Sequence, residues 1–200
     1  FRRVLFRSVF SADVSDEAAV EAMVAAHVRR FGGINILVNN AGITRAEDIF
    51  ETTLESWNSV LATNLTGAFL CARAAMRRMA AQRSGRIIQM TSVVAHQGAL
   101  KGHVHYAASK AGLIGLTKTL ARTGAPLGIT VNAVAPGIVE TPMLSGTHGE
   151  AGIADLVARV PLGVLATPEE IAEAVVYLAS PAARHITGAI LDINGGMVMR

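Results

Sequence analysis

Tyr106, Lys110 and Ser92 have side chains suited to acid–base chemistry on a carbonyl group. Tyr106 and Lys110 are four residues apart, so on a helix they lie on one face, where the ammonium group can stabilise a tyrosine phenolate. An unperturbed phenol has a pKa of about 10, and a neighbouring cation lowers it, which would make Tyr106 a usable acid or base. Ser92 follows the strand-like segment 87–91 and can donate a second hydrogen bond to the oxygen that Tyr106 protonates.

Three further motifs accompany these residues. The run Asn39-Asn40-Ala41-Gly42 follows the strand-like segment 36–38, Asn64 lies within a helical stretch, and Pro136-Gly137 follows the apolar segment 129–135. A Tyr–x–x–x–Lys spacing alone is a weak signal, because such pairs occur on many solvated helix faces. The combination, in one order along the chain, favours a functional site.

Each polar residue also has an ordinary structural interpretation. Ser92 is compatible with a serine that ends a strand, Asn64 with an asparagine that bonds its own helix backbone, and Gly42 with a turn glycine. These alternatives weaken when the residues are taken together. Asn132, within the apolar run 131–134, is predicted to satisfy buried backbone groups and is not assigned to the site.

Over residues 9–196 this set of motifs resembles the classical short-chain dehydrogenase/reductase family. The run Asn39-Asn40-Ala41-Gly42-Ile43-Thr44-Arg45 is most similar to 3-oxoacyl-(acyl carrier protein) reductases and to related sugar and alcohol dehydrogenases. The resemblance implies an α/β fold with a Rossmann-like, doubly wound parallel sheet. It also implies an NAD(P)-dependent oxidoreductase that transfers hydride between a nicotinamide cofactor and a carbonyl or secondary alcohol.

The resemblance further implies residue roles. The catalytic residues would be Asn64, Ser92, Tyr106 and Lys110. Asn64 would hold a water that links Lys110 to solvent, and Lys110 would also bind the hydroxyls of the nicotinamide ribose. Together with Tyr106 and Lys110, the implied cofactor contacts, from the adenine end to the nicotinamide end, are Asp13, Val14, Asn39, Ala41, Gly42, Pro136, Gly137, Ile138 and Thr141.

The first residues of the chain depart from the family pattern. A classical member begins with a strand and a glycine-rich turn that cradles the cofactor pyrophosphate, whereas this chain begins at what resembles the third strand, residues 9–14. The expected sheet therefore lacks its first two strands and that turn. Residues 1–8 resemble translated sequencing adapter and are expected to be non-native, which leaves residues 9–200 as a single truncated domain.

The expected truncation affects cofactor choice, activity and strand pairing. The choice between NAD and NADP is read at the end of the second strand, so it stays open. The chain as given is expected to be an inactive piece of a reductase, and the alternative is a noncatalytic binding or interaction fragment. In the family's strand order, 3-2-1-4-5-6-7, residues 9–14 would either lie apart from the sheet or pair with 36–38.

Composition limits the other function classes. With 200 residues and 51% apolar content, the chain suffices for one well-packed domain. Its net charge of +3 depends on three arginines within residues 1–8; the remaining 15 Lys and Arg balance 15 Asp and Glu. The basic balance is therefore no argument for nucleic acid or membrane partners. No apolar run is suited to span a membrane, and a cytoplasmic protein is expected.

The cysteine and histidines predict no metal site. The single Cys71 falls on an apolar helical face, where a packing role is favoured. His96, His103 and His105 cluster before Tyr106 but have no acidic or cysteine partner at ligand spacing. They are interpreted as loop histidines near the substrate.

Capping signals set the predicted helix starts. Ser15, Thr52 and Thr167 are predicted N-caps, the last two within capping boxes completed by Glu55 and Glu170. The predicted helices cover about 16–31, 53–82, 105–122 and 168–179, and the last strand about 189–193.

The resemblance also implies partners. The substrate would be a small carbonyl compound or alcohol, linked in the 3-oxoacyl reductases to acyl carrier protein. Arg83 lies where one carrier-binding arginine is expected, whereas Leu127 stands at the second position. The helices at 53–82 and 105–122 resemble those that pair in family dimers and tetramers, so a homodimer or homotetramer is expected. The small residues that would permit close helix approach are Ala74, Ala108, Ala111, Gly112 and Gly115.

Overall fold

The computed structural model describes residues 8–141, 144 and 150–200. Within them, four parallel strands form one sheet in the order β1-β2-β3-β4. The strands are β1 (Ile36–Asn39), β2 (Gly85–Met90), β3 (Ile129–Pro136) and β4 (Ile190–Ile193). The α-helices are α1 (Glu17–Phe31), α2 (Leu54–Leu61), α3 (Gly67–Gln82), α4 (Val94–Gln97), α5 (Val104–Gly124), α6 (Glu150–Val157) and α7 (Pro168–Ala179).

Helices cover both faces of the central strands. Met79 of α3 and Ala121 of α5 pack with Ile87 and Val131 in one apolar cluster. On the other face, α7 packs against Ile88 and Val134 in a second cluster. Because β2 and β3 are covered on both faces, most of their residues are apolar. The expected α/β, doubly wound parallel architecture is confirmed.

Two predicted helix starts are wrong by one residue. The N-cap of α1 is Asp16, whose carboxylate accepts from the N–H groups of Ala18 and Ala19, because Ser15 instead donates to Asp13. The N-cap of α2 is Thr53 rather than Thr52.

The α2 start shows the reason for the shift. The Thr53 hydroxyl accepts from the Ser56 N–H at 3.0 Å, whereas the Thr52 hydroxyl donates to the Asp48 carbonyl at 2.5 Å. Of the two adjacent threonines, Thr53 therefore caps α2, and the Thr52 hydroxyl is bonded to the preceding turn. The capping box of α7 is confirmed, with reciprocal bonds between Thr167 and Glu170.

The long helical region predicted at 53–82 is continuous but not uniform. Between α2 and α3, the segment Ala62–Thr66 forms a π-helical turn that contains the buried Asn64. Such single-turn bulges change the direction in which a helix presents its side chains and occur frequently at functional sites. Here the bulge directs an asparagine toward the carboxyl edge of the sheet.

Residues 9–14 do not form the expected third strand. They contain no strand and do not pair with β1, so of the two predicted arrangements they adopt the one that lies apart from the sheet. Val14 packs beside α1 and α3 instead, against Gly67, where an added Cβ would approach its side chain to 2.8 Å. A residue larger than glycine at position 67 would displace this segment.

Asn132 and Cys71 have the structural roles predicted for them. The Asn132 amide donates to the Ile186 carbonyl at 2.9 Å and accepts from the Ala189 N–H at 3.1 Å, so it satisfies buried backbone groups between β3 and the approach to β4. Cys71 is buried within the α1–α3 cluster.

Candidate active site

A cavity of about 970 Å³ opens at the carboxyl edge of the sheet. Ligands of open parallel α/β sheets bind at this edge, because the loops that leave neighbouring strands converge there. One wall of the cavity is formed by residues at or after the ends of β1, β2 and β3 and by the start of α5. The residues of this wall are Asn40, Gly42, Thr44, Thr91, Ser92, His103, Tyr106, Lys110, Pro136, Gly137, Ile138 and Thr141.

Ser92 and Tyr106 meet at this cavity. Ser92 follows β2, and Tyr106 lies in the first turn of α5. Burial raises the pKa of the Tyr106 phenol, and a hydrogen bond with Ser92 partly offsets that rise. The phenol therefore carries its proton at neutral pH, which makes it an acid rather than a base.

Lys110 anchors α5 to the end of β2. Its ammonium group donates to the Met90 carbonyl at 2.6 Å and lies 5.5 Å from the centre of the Tyr106 ring. Burial lowers the pKa of Lys110 to about 8. The expected lowering of the Tyr106 pKa by Lys110 is not met, because burial raises the pKa of the phenol and the lowering contribution comes from the hydrogen bond with Ser92.

Asn64 is fully engaged with protein groups. Its side-chain oxygen accepts from the Ile43 N–H at 2.8 Å, and its amide donates to the Ile43 carbonyl at 2.9 Å and to Ser109 Oγ at 3.1 Å. These bonds tie the π-helical turn to the loop after β1 and to α5. The water-holding role remains a prediction, while a positioning role for the 42–44 loop follows directly from the contacts.

The cavity suits the hydroxyl-rich ribose of a nicotinamide cofactor. An ammonium group has three donors, and the buried Lys110 group borders the cavity. A Cβ at Gly42 would lie 3.6 Å from Lys110 Nζ and 3.4 Å from Asn64 Oδ1, so the backbone at position 42 lies beside both polar groups.

The residues predicted to bind cofactor divide into two groups. Gly42, Pro136, Gly137, Ile138 and Thr141 share the cavity with Tyr106 and Lys110. Four others do not line it: Asp13, Val14, Asn39 and Ala41.

Two members of the second group are hydrogen-bonded to other protein groups. The buried Asn39 amide donates to the Ala68 carbonyl and to Gln89 Oε1, so it joins β1 to α3 and β2. The Asp13 carboxylate accepts from Ser15, which lowers its pKa. Their cofactor roles remain predictions.

The sequence predicts His103 near the substrate, but it does not indicate that Thr44 or α7 lines the cavity. Thr44 and His103 both line the cavity and are hydrogen-bonded to each other, with Thr44 Oγ1 2.8 Å from His103 Nδ1. An apolar wall comes from α7 through Ile171, Ala172 and Val175, with Val176 beside them. These four residues lie on one face of the helix, as their spacing indicates. The sequence alone does not show whether that face packs on the sheet or lines a cavity.

Of the three histidines interpreted as loop residues near the substrate, His103 fits, since it lies just before α5 and lines the cavity, and the other two lie in helices. His103 precedes α5 with a left-handed φ of 58°, but His96 lies in α4 and His105 in α5. His105 is wholly buried, and His96 lies 3.5 Å from Asp192. Among the described residues, no group of three His, Cys, Asp or Glu side chains is placed to hold a metal ion. No helix in the same residues is long and apolar enough to cross a membrane.

Comparison with known proteins assigns the family. Residues 2–198 match the profile of the family described as Enoyl-(Acyl carrier protein) reductase. The 3-oxoacyl-[acyl-carrier-protein] reductase of Vibrio cholerae is 48% identical over 187 residues, which cover 94% of this chain and 76% of the relative. The enzyme of that name from Escherichia coli is 46% identical with the same coverage, and that of Synechocystis is 43% identical over 94% of this chain and 74% of its own. The chain belongs to the short-chain dehydrogenase/reductase family and is a nicotinamide-dependent oxidoreductase.

Proposed function

Against the expectation that the chain as given is inactive, we propose that it reduces the ketone of a 3-oxoacyl thioester to a secondary alcohol, with Tyr106 as the proton donor. The observation that carries the proposal is the meeting of Ser92 and Tyr106 on one cavity beside the buried Lys110. When bound, a reduced nicotinamide supplies the hydride. The assignment of site residues to roles is part of the proposal.

Tyr106 is suited to protonate the substrate oxygen. The phenol carries its proton at neutral pH, and because burial raises its pKa, the transfer requires the negative charge that develops on the substrate oxygen. Ser92 can hydrogen-bond the same oxygen, so two hydroxyl groups stabilise the charge. After the transfer, the Tyr106 phenolate lies near the Lys110 ammonium, which is charged below about pH 8.

Gly42 and the loop after β3 would hold the nicotinamide half of the cofactor. Pro136, Gly137 and Ile138 leave the end of β3 on the cavity, and Thr141 follows them. Lys110 would donate to the ribose hydroxyls. Asn64 positions the Gly42 loop through its bonds to Ile43. The cofactor is NADPH or NADH.

The far wall of the cavity supports an acyl substrate over a sugar. Ile171, Ala172, Val175 and Val176 of α7, with Leu144, give this wall only apolar side chains. A sugar would leave its hydroxyl groups without partners there, at a cost in binding. An acyl chain would bury apolar surface against the wall instead. The names of the relatives indicate the same substrate class.

We also propose that the acyl group is presented by acyl carrier protein. Arg83 is exposed, with one guanidinium N–H bonded to the Pro126 carbonyl at 2.9 Å, and can receive an acidic carrier. Arg83 precedes β2 and Ser92 follows β2. The six residues of this strand therefore separate Arg83 from Ser92 by about 20 Å. Leu127 in place of the second arginine predicts weaker carrier binding than in a protein with both.

One observation favours a second candidate function, a noncatalytic binding protein. Asp13 and Val14, the residues expected at the adenine ring, lie outside the cavity. Titration of the chain with NADPH and with NADH, followed by fluorescence, separates the candidates. Micromolar binding of either dinucleotide supports the reductase, and absence of binding up to millimolar concentration supports the noncatalytic protein.

Substrate class is tested by the rate of reduction of acetoacetyl-CoA, a longer 3-oxoacyl-CoA and a ketose, with each dinucleotide. We expect the thioesters to be reduced and the ketose not. Val176→Asp is a sharp probe of the wall, because Val176 is 67% exposed and its replacement should spare the fold. This variant should raise KM for the longer thioester more than for acetoacetyl-CoA. Equal KM changes, or preference for the ketose, would contradict the acyl assignment.

A further inference from the structure

A partly buried polar cluster, separate from the groups of the proposed proton transfer, includes the residue that directly precedes Tyr106. It consists of Glu47, in the loop after β1, Ser56 of α2, and His105 of α5, with Arg45 at its edge. The His105 side chain is wholly buried and directly precedes the proposed acid. A buried imidazole needs hydrogen-bond partners, so its contacts define what it does.

His105 holds the backbone of Tyr106. Its Nδ1 accepts the Tyr106 backbone N–H at 2.9 Å. Because α5 begins at Val104, this N–H belongs to the first turn of the helix, where no carbonyl of the preceding turn is available within the helix. An Nδ1 that accepts carries no proton, so the ring is the tautomer protonated at Nε2.

Glu47 faces that Nε2 proton. Its Oε2 lies 3.4 Å from His105 Nε2, longer than an ordinary hydrogen bond, and accepts from Ser56 Oγ at 2.5 Å. The Ser56 bond, followed by His105 and Arg45, lowers the pKa of Glu47 against the effect of burial. The carboxylate is thus ionised at neutral pH and is oriented by Ser56 toward the imidazole.

A second pair joins the same two segments on the cavity side. Thr44 Oγ1 and His103 Nδ1 are 2.8 Å apart, and a Cβ at Gly102 would lie 3.3 Å from the Glu47 carbonyl oxygen. Residues 44–47 and 102–105 therefore pack closely. The start of α5, and with it Tyr106, is held against the loop that carries the proposed nicotinamide contacts.

We propose that His105, oriented by Glu47, is a positioning residue that fixes the backbone of Tyr106 and so the place of its phenol. This inference rests on the proposed function of Tyr106. Small displacements of a reacting group cost rate steeply, with a shift of about 1 Å worth up to ~10²-fold. Loss of the hydrogen bond to the Tyr106 backbone N–H should therefore lower turnover and change cofactor affinity little.

The test combines kinetics with NMR of the whole chain. His105→Phe keeps a planar ring and removes both nitrogens; we expect turnover to fall about tenfold, with KM for the dinucleotide within about twofold. Exchange of the Tyr106 amide proton should accelerate at least about tenfold. Glu47→Ala should act in the same direction, while Glu47→Gln, which keeps an acceptor oxygen, should lose no more than about threefold in turnover.

Asp16→Ala is the matched control, because it removes the N-cap of α1 at a typical cost of about 1 kcal/mol and contacts none of His105, Glu47 and Ser56. Equal losses of turnover in His105→Phe and Asp16→Ala would reduce the effect to general destabilisation and overturn the proposal. So would a ¹⁵N spectrum of the parent with the His105 proton on Nδ1, or unchanged exchange at Tyr106 in His105→Phe. If the parent reduces no thioester, the proposed function fails, and the tautomer and the exchange rate still decide the positioning.

Discussion

The centre of the sheet and its β1 edge bury their side chains to different degrees. On β3, the side chains of Val131, Ala133 and Val134 are inaccessible to solvent. On β1, Ile36 is 49% exposed and Val38 41%. Both strands are apolar in sequence, but only the central strand has a described neighbour on each side and helices on both faces.

The proposed catalytic residues attach to the centre rather than to the edge. Ser92 follows β2, Pro136 and Gly137 leave β3, and Lys110 of α5 is bonded to the last residue of β2. Of the two residues expected at the adenine ring, Val14 packs beside α1 and α3 and Asp13 is exposed. Chemistry on the nicotinamide side therefore depends on the buried central strands, whereas adenine binding would depend on residues outside the sheet.

The largest effect is expected at the centre, from Lys110→Met. Methionine fills similar volume and removes the ammonium group that faces the cavity. Because that group stabilises the phenolate left on Tyr106, turnover of the thioester should fall at least ~10²-fold. Stopped-flow measurement of the hydride-transfer step checks this, and a fall of less than about threefold would remove Lys110 from the proposed chemistry.

The same substitution should stabilise the fold near neutral pH. The folded state lowers the pKa of Lys110 from 10.5 to about 8, so between these values the unfolded chain binds more protons and stability of the parent rises with pH. Below about pH 8, the variant avoids the cost of the buried charge, about 3 kcal/mol, but loses the hydrogen bond to the Met90 carbonyl, which offsets about 2 kcal/mol of it. The net gain in free energy of unfolding should therefore be about 1 kcal/mol at pH 7 and should disappear by pH 10.5, and urea melts at the two pH values test this. A difference between variant and parent that does not change with pH would contradict the burial argument.

Core substitutions compare the two regions directly. Ile87 of β2 is 1% exposed, so Ile87→Ala should lower the free energy of unfolding by about 2 to 5 kcal/mol. Ile36→Ala, the same change on β1, should cost less than about 1 kcal/mol, because half of its surface already contacts solvent. Equal losses in denaturant melts would show that β1 is covered in solution and would weaken the comparison.

A smaller effect on monomer stability is expected on the exposed face of α5. Ala108, Ala111 and Gly115 are exposed and suit the proposed pairing of subunits. Ala111→Glu should reduce the oligomeric mass measured by light scattering while the melting temperature of the monomer changes little. Ala18→Glu, at an exposed position of α1, is the control and should leave the mass unchanged. A parent that is monomeric at micromolar concentration would contradict the proposed assembly.

The sequence predicted the elements that have strong local signals. Thr167, Pro168 and Glu170 gave the start of α7, and the Tyr106 and Lys110 spacing placed both residues on α5. Ala74 and Gly112 were expected at a subunit interface, but Ala74 lies in the core and a Cβ at Gly112 would meet Leu65 at 2.7 Å. Small residues permit close approach without specifying the partner, so the sequence could not separate the two uses.

The sequence did not predict features that depend on contacts between distant segments. The pKa of Tyr106 rises because the phenol is buried, and burial is a property of the assembled fold. The His105 and Glu47 contact joins residues 58 positions apart, so no local pattern indicates it. Residues 9–14 read as a strand, but a strand also requires a neighbour to pair with.

The most direct test of the central claim compares the two tyrosines of the chain. Tyr106→Phe removes the proposed proton donor, whereas Tyr177→Phe makes the same change on α7 at a 47% exposed side chain. In the reduction of a 3-oxoacyl thioester, Tyr106→Phe should lower turnover at least ~10²-fold and leave dinucleotide affinity within a few-fold, while Tyr177→Phe should match the parent. Near-parent turnover in Tyr106→Phe would contradict the account.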